Sequence, residues 1–258
     1  IGACDLMKAH LHSDKTVMIA FDEYGVSFGK EKEKSTGRAG VIDDRTYMEF
    51  SDQLKRPFRH NDPLNPENNH HSNMLESLAL SSVLMSLIRH ADRVKVGCYT
   101  SGLFMIGHDW DHVWKEVGYY PYEQFIRYAK GTSLRPAIDS PTYTSNAYNL
   151  DDFNQKPAYE NVPYIEVCAS HDEENGTAAI FVINRNWEEG IDVELDVSGF
   201  EGYHLVGHTE IQTDDIEAYN TYEDQKVVPV EITDTKIENG KINMKTKKLS
   251  FNVIRLAK

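Results

Sequence analysis

The stretch that most limits what this chain can become is Thr16-Val17-Met18-Ile19-Ala20-Phe21-Asp22-Glu23-Tyr24-Gly25-Val26. An apolar run rich in β-branched and aromatic residues, without polar alternation, predicts a strand buried on both faces, as in a parallel sheet. It ends on two adjacent carboxylates. In a regular strand, successive side chains point to opposite faces, so Asp22 and Glu23 serve different spaces, one a cavity and the other the scaffold. In a (β/α)8 barrel the C-terminal strand ends are where catalytic side chains sit. The plainer reading of the same residues is a solvated strand end carrying two charges.

The flanking pattern extends the α/β reading. Ile1, Cys4, Leu6, Met7 and Leu11 share one helical face over residues 1–12, so a helix feeds the strand. Asn73-Met74-Leu75-Glu76 fits a capping box, and Leu75, Leu78, Ala79, Leu80, Val83, Leu84, Leu87 and Ile88 repeat at helical spacing, which predicts a buried helix over 74–90. A short strand is expected at Val94–Tyr99 and a further helix from Tyr122 to Lys130, stopped by Gly131. Helix, strand, helix, strand, helix is the alternation that builds parallel sheets. Between the first strand and the buried helix, residues 29–72 form a long polar connection that would lie over the face where the strand ends, or serve as a solvated flank.

From residue 133 the texture changes. Tyr164–Ala169, Ala178–Asn184, Ile191–Val197, His204–His208, Val227–Thr233 and Leu249–Leu256 read as strands, separated by turn pairs such as Asn175-Gly176, Ser198-Gly199 and Asn239-Gly240. That pattern predicts a β-sandwich. Two units follow: 1–132, α/β, and 133–258, all-β. A whole barrel needs about 250 residues, and the first 132 offer two credible strands with both edges unpaired. Either those residues make a smaller α/β unit, or other polypeptide supplies the remaining strands.

Composition narrows the partners. A formal net charge of −14 leaves no Lys/Arg surplus to displace counterions, so nucleic acid is not expected and a neutral ligand is. No apolar run is long enough to span a bilayer, and no membrane partner is expected. Cys4, Cys98 and Cys168 form no CxxC and are odd in number, which predicts reduced, buried thiols rather than a disulfide framework or a zinc site. The start at Ile1 lacks a basic, cleavable leader and reads as the middle of a helix, so upstream sequence is expected. A cytoplasmic location is the expectation, with any export signal left to that upstream sequence. His70-His71 and the run His108-Asp109-Trp110-Asp111-His112 raise the question of a metal; the latter has helical i, i+4 spacing but no obvious third ligand, so none is expected. Trp110, following the second strand, is a candidate to stack on a ligand, or simply to pack a loop.

Phe21-Asp22-Glu23-Tyr24-Gly25-Val26 resembles the nucleophile strand of glycoside hydrolase family 51, the α-L-arabinofuranosidases. Arg89-His90-Ala91-Asp92-Arg93-Val94-Lys95-Val96, Tyr120-Pro121-Tyr122, Val162-Pro163-Tyr164, Val182-Ile183-Asn184-Arg185 and Ser250-Phe251-Asn252-Val253-Ile254-Arg255-Leu256 resemble later landmarks of that family in the same order. The resemblance implies the last strands of a (β/α)8 TIM barrel, the seventh and eighth, followed by a jelly-roll-like β-sandwich. It makes Glu23 the nucleophile of a retaining hydrolase acting on arabinofuranosides, with no cofactor. It puts the acid/base Glu on the fourth barrel strand, upstream of Ile1, so the missing N-terminal part of the barrel becomes a partner. It also implies a homo-oligomer. Tyr24 stands where the family has Trp, and Gly25 where it has Asn. Ser27, with Phe28 beside it, replaces an aromatic residue, and Ser101 replaces a Gln that touches the sugar. Tyr24 and Ser101 are thus the expected substrate-binding positions, with altered reach. A non-catalytic carbohydrate-binding or assembly subunit, or a barrel hydrolase for another glycoside, are the competing readings.

Overall fold

The computed structural model describes residues 1–24, 71–99, 105–108, 111–145, 148–149, 155–156 and 158–258. Its first part contains helix α1 (Gly2–His10), strand β1 (Ile19–Tyr24), helix α2 (Met74–Arg89), strand β2 (Val94–Tyr99), the hairpin β3 (Ile106–His108) and β4 (Val113–Lys115), and helix α3 (Tyr119–Tyr128). β1 and β2 pair in parallel through the α2 crossover, as the alternation predicts. α2 begins where the capping box puts it: the Asn73 side chain accepts from the Glu76 N–H at 2.9 Å. α3 starts three residues earlier than expected. Pro121 falls in its first turn, where a missing N–H costs no intrahelical bond.

The expectation that the first strand is buried on both faces is corrected. Only β2 lies beside it among the described residues, and Val17, Met18, Phe21 and Val96 are exposed. α1 likewise buries none of its residues; Leu6, Met7 and Leu11 face outward.

The second part is a β-sandwich. A six-stranded sheet runs in the order β14 (Val230–Glu231), β13 (His204–Ile211), β17 (Ser250–Ala257), β11 (Thr177–Asn184), β10 (Ile165–Asp172) and β5 (Thr132–Leu134). A three-stranded sheet has the order β12 (Ile191–Asp196), β16 (Lys241–Thr246) and β15 (Ile237–Glu238). Short pairs join β6 (Thr142–Tyr143) to β9 (Val162–Pro163) and β7 (Tyr148–Asn149) to β8 (Gln155–Lys156). Of the expected strand at 227–233, only Val230–Glu231 pairs. The Asn239-Gly240 turn has φ of 52° and 75°, the doubly left-handed geometry that an Asn-Gly hairpin adopts readily.

The six-stranded sheet is buried on both sides, which explains the unbroken apolar runs of β10 and β11. Ile165, Val167, Ile180, Val182, Ile254 and Leu256 face the smaller sheet, meeting Ile242 and Met244. Cys168, Phe181, Ile183, Phe251 and Val253 share the other core with Leu80, Leu84, Met85 and Phe125 of the helices; Phe125 stacks on Phe181 at 4.3 Å between ring centroids. The layers are therefore helices, large sheet and small sheet. Burial pushes the Cys168 thiol up to about 12, a structural, unreactive state. Cys98 is exposed and Cys4 half-buried, so burial of all three thiols is corrected.

Candidate active site

A βαβ crossover sets the geometry. Because β1 and β2 are parallel and α2 runs back between them, the carboxyl ends of both strands, the N-terminus of α2 and the hairpin that follows β2 gather at one end of the unit. Glu23 enters by its backbone position, the fifth residue of the six in β1. Phe21 pairs with Gly97 and Tyr24 with Tyr99, so three steps along β1 match two along β2. This shift falls on Asp22 and Glu23. The ladder is therefore irregular across these two positions, a local break of the kind that strengthens strand twist. Asp22 is exposed.

Tyr24 is 8% exposed and packs in a tyrosine cluster. Its ring meets Tyr99 edge-on at 5.6 Å, and Tyr99 lies 6.0 Å from Tyr122. Burial raises the Tyr24 phenol well above its ordinary range, with Tyr122 adding to the rise; burial does the same for Tyr99, followed by the nearby Glu76. Both rings are neutral fixtures at any physiological pH. Gly97 lets α2 approach here: a Cβ would stand 3.0 Å from Leu87 Cδ1. Gly25, Ser27, Phe28, Ser101, Trp110, His70 and most of the 29–72 connection lie outside the described residues.

Sequence reasoning missed a second group at this end. Glu116, buried just after β4, accepts from Trp114 Nε1 at 2.9 Å and pairs with His71 Nδ1 at 3.0 Å through the same oxygen, Oε1. Among the described residues its Oε2 is buried and has no hydrogen-bond partner. The His71 ring stacks on Tyr219 at 4.4 Å and 11°; His112 stacks on Tyr222 at 3.8 Å and 27°. Tyr219 and Tyr222 belong to the loop between β13 and β14, so the sandwich itself reaches the end where β1 and β2 finish. Asn220, fully buried, holds that loop by donating to the carbonyls of Val227 at 2.8 Å and Lys115 at 3.3 Å. His108 and His112 lie on and beside a β-hairpin, so their spacing is not that of a helical ligand pair. Among the described residues no cluster of three or more His, Cys, Asp or Glu is placed to hold a metal. No described helix is long and apolar enough to cross a membrane.

The carboxyl end of a strand in a parallel α/β unit is where (β/α)8 enzymes place catalytic side chains. Residues 22–250 match the family described as the alpha-L-arabinofuranosidase C-terminal domain, and the chain belongs to that family. It is 29% identical to an intracellular exo-α-(1→5)-L-arabinofuranosidase of Halalkalibacterium halodurans and 27% identical to one of Bacillus subtilis. In both comparisons the match covers 100% of this chain and 46% of the relative. The fold is similar to a family 51 α-L-arabinofuranosidase from Bifidobacterium longum, with a TM-score of 0.74 and 20% identity over 98% of this chain and 44% of that one. The chain thus spans about half the length of the curated relatives it matches.

Proposed function

We propose that this chain forms part of a retaining glycoside hydrolase that releases terminal α-L-arabinofuranosyl units, with Glu23 as its nucleophile. The observation that carries the reading is the place of Glu23 at the carboxyl end of β1, in a parallel pair with β2, within a chain of the arabinofuranosidase C-terminal family. A carboxylate oxygen there attacks the anomeric carbon and the bond to the leaving oxygen breaks, giving a covalent glycosyl-enzyme. A second carboxyl group protonates that oxygen and then removes a proton from the water that hydrolyses the intermediate. We assign that second group to polypeptide upstream of Ile1, as the family resemblance implies.

In the same reading β1 and β2 are the last two strands of a (β/α)8 barrel. Supporting it are the exposed Val17, Met18, Phe21 and Val96 on the strand pair and the outward Leu6, Met7 and Leu11 of α1, a surface suited to neighbouring barrel units. The sandwich then stands as the second domain, from residue 133, of jelly-roll type. Ser101 supplies a hydroxyl to the sugar, and Tyr24 presents the small part of its surface that core packing leaves exposed. By analogy with the exo-α-(1→5)-L-arabinofuranosidases it is similar to, the substrates are arabino-oligosaccharides joined α-(1→5) and the place of action is intracellular, and the assembly is a homo-oligomer.

The test is covalent labelling of the intact enzyme that contains this chain. A mechanism-based furanosyl inactivator is expected to leave its glycosyl mass on the peptide containing Glu23, and Glu23→Gln to abolish release of aryl arabinofuranoside. A folded, unlabelled enzyme, or full activity in the Gln variant, overturns the assignment. Activity towards aryl xyloside or glucoside in place of the furanoside would redirect it to another glycoside.

A further inference from the structure

We propose that Tyr219 and Tyr222 form a stacking platform for a second, non-reacting sugar unit of the substrate chain, contributed by the sandwich to the face where β1 ends. The proposal rests on the glycosidase reading for the class of ligand, a neutral pentose oligosaccharide. The placement rests on the structure alone. The N-terminus of α2 lies at the carboxyl end of the parallel pair, and Tyr219 is attached there twice: it bridges Asn73 through its backbone, and its ring stacks on His71. The β3–β4 hairpin leaves the same end of β2, and Tyr222 stacks on His112 beside it.

Three properties suit the pair to sugar. Both residues are exposed, Tyr219 at 43% and Tyr222 at 49%, while an imidazole stacks on one face of each ring. That contact restricts each ring before a ligand arrives and so reduces the entropy lost on binding. Hydrogen bonds tie down the loop that carries them: Leu75 donates its N–H to the Ile216 carbonyl, Asn220 and Val227 bond reciprocally, and Tyr120 donates its hydroxyl to Gln225 Oε1. Finally, Asp214, Asp215, Glu217, Glu223 and Asp224 surround the rings in sequence, which disfavours an anionic ligand and supplies acceptors for hydroxyl groups. An aromatic ring face suits the apolar C–H side of a pentose.

The experiment compares two substrates on the intact enzyme. With Tyr219→Ala and Tyr222→Ala combined, kcat/KM for α-(1→5)-linked arabinotetraose is expected to fall about five- to tenfold, the worth of lost aromatic stacking. Aryl arabinofuranoside, which has no second sugar, should be cleaved as before. Replacing both by Phe keeps the ring faces and should keep most of the tetraose activity. If the double Ala variant unfolds, Tyr222→Ala alone, at the more exposed position, is expected to show a two- to threefold selective loss, about half the combined effect in free energy. An equal loss on both substrates, or none on the tetraose, overturns the platform. If the enzyme cleaves no furanoside, the glycosidase reading fails separately, and calorimetric binding of the tetraose decides the platform: weaker binding in the Ala variants upholds it, and unchanged or absent binding removes it.

Discussion

Arg89, in the last turn of α2, and Glu166, on β10, form an ion pair although 77 residues separate them. Arg185 grips the other oxygen of the same carboxylate, and Ser82 of α2 donates to it at 2.6 Å. Glu166 is buried, whereas both guanidinium groups keep part of their surface in water. The helical layer is therefore pinned to the large sheet by one carboxylate with three donors.

Removing that acceptor should be costly. Glu166→Ala leaves two cations and a hydroxyl facing an empty site, and the expected loss is about 3 kcal/mol, at the lower end for a broken buried pair because the arginines can turn to solvent. Urea denaturation measures it; a midpoint equal to the wild type would mean that the network contributes nothing net.

The N-cap of α2 gives a smaller, cleaner effect. Asn73→Ala loses the side-chain acceptor for the Glu76 N–H and is expected to cost about 1 kcal/mol, whereas Asn73→Asp should cost almost nothing. Equal losses in the two variants would show that the side-chain acceptor does not carry the effect.

His208 confers a pH dependence. It is buried between Thr235 and Asn252, donating from Nε2 to the Asn252 side-chain carbonyl and accepting at Nδ1 from the Thr235 hydroxyl. Burial lowers its folded pKa below the ordinary 6.5, against the opposing pull of the Asn252 bond and nearby carboxylates. Above that ordinary value both states are neutral and the group contributes no slope. As pH falls below it, the unfolded chain takes up a proton that the native state refuses, so stability declines until the lower folded pKa is reached. His208→Gln is expected to flatten the slope of stability against pH in this window, measured as the difference in urea midpoints from the wild type. An unchanged slope would show that His208 does not titrate differently on folding.

α3 ends at Tyr128 with Ala129 as its C-cap, earlier than the expected stop at Gly131; Gly131 instead turns the chain towards β5 with φ of 74°, and a Cβ there would lie 2.2 Å from the His171 carbonyl oxygen. Gly131→Ala is expected to cost at least about 2 kcal/mol, from left-handed strain together with the displacement of β10. Thermal unfolding of the variant tests this; a melting temperature within a degree of the wild type would contradict it.

Local signals were read well from the residues, and distant ones were not. α2 was legible because Asn73, Glu76 and the Leu repeat lie within one window, and β11 and β17 because their apolar runs are long. β16 escaped notice: Lys241, Asn243 and Lys245 dominate it, and Ile242 and Met244 acquire meaning only against the large sheet. The β3–β4 hairpin has strands too short for an alternating run, and the spacing of His108 and His112 also fits a helical ligand pair. Position 23 could be picked out from its strand and its resemblance. The Glu116 group could not, since Trp114, His71 and Tyr219 come from three separate segments and no short-range pattern joins them.

The double burial of the large sheet governs how this chain can be handled. Phe181 and Phe251 lean on α3 through Phe125, while Val182 and Ile254 on the reverse side lean on the small sheet. A sandwich prepared without the helices would carry a wet, greasy wall the width of several strands and would clump. Anyone trimming the protein for expression should leave the helical cladding in place.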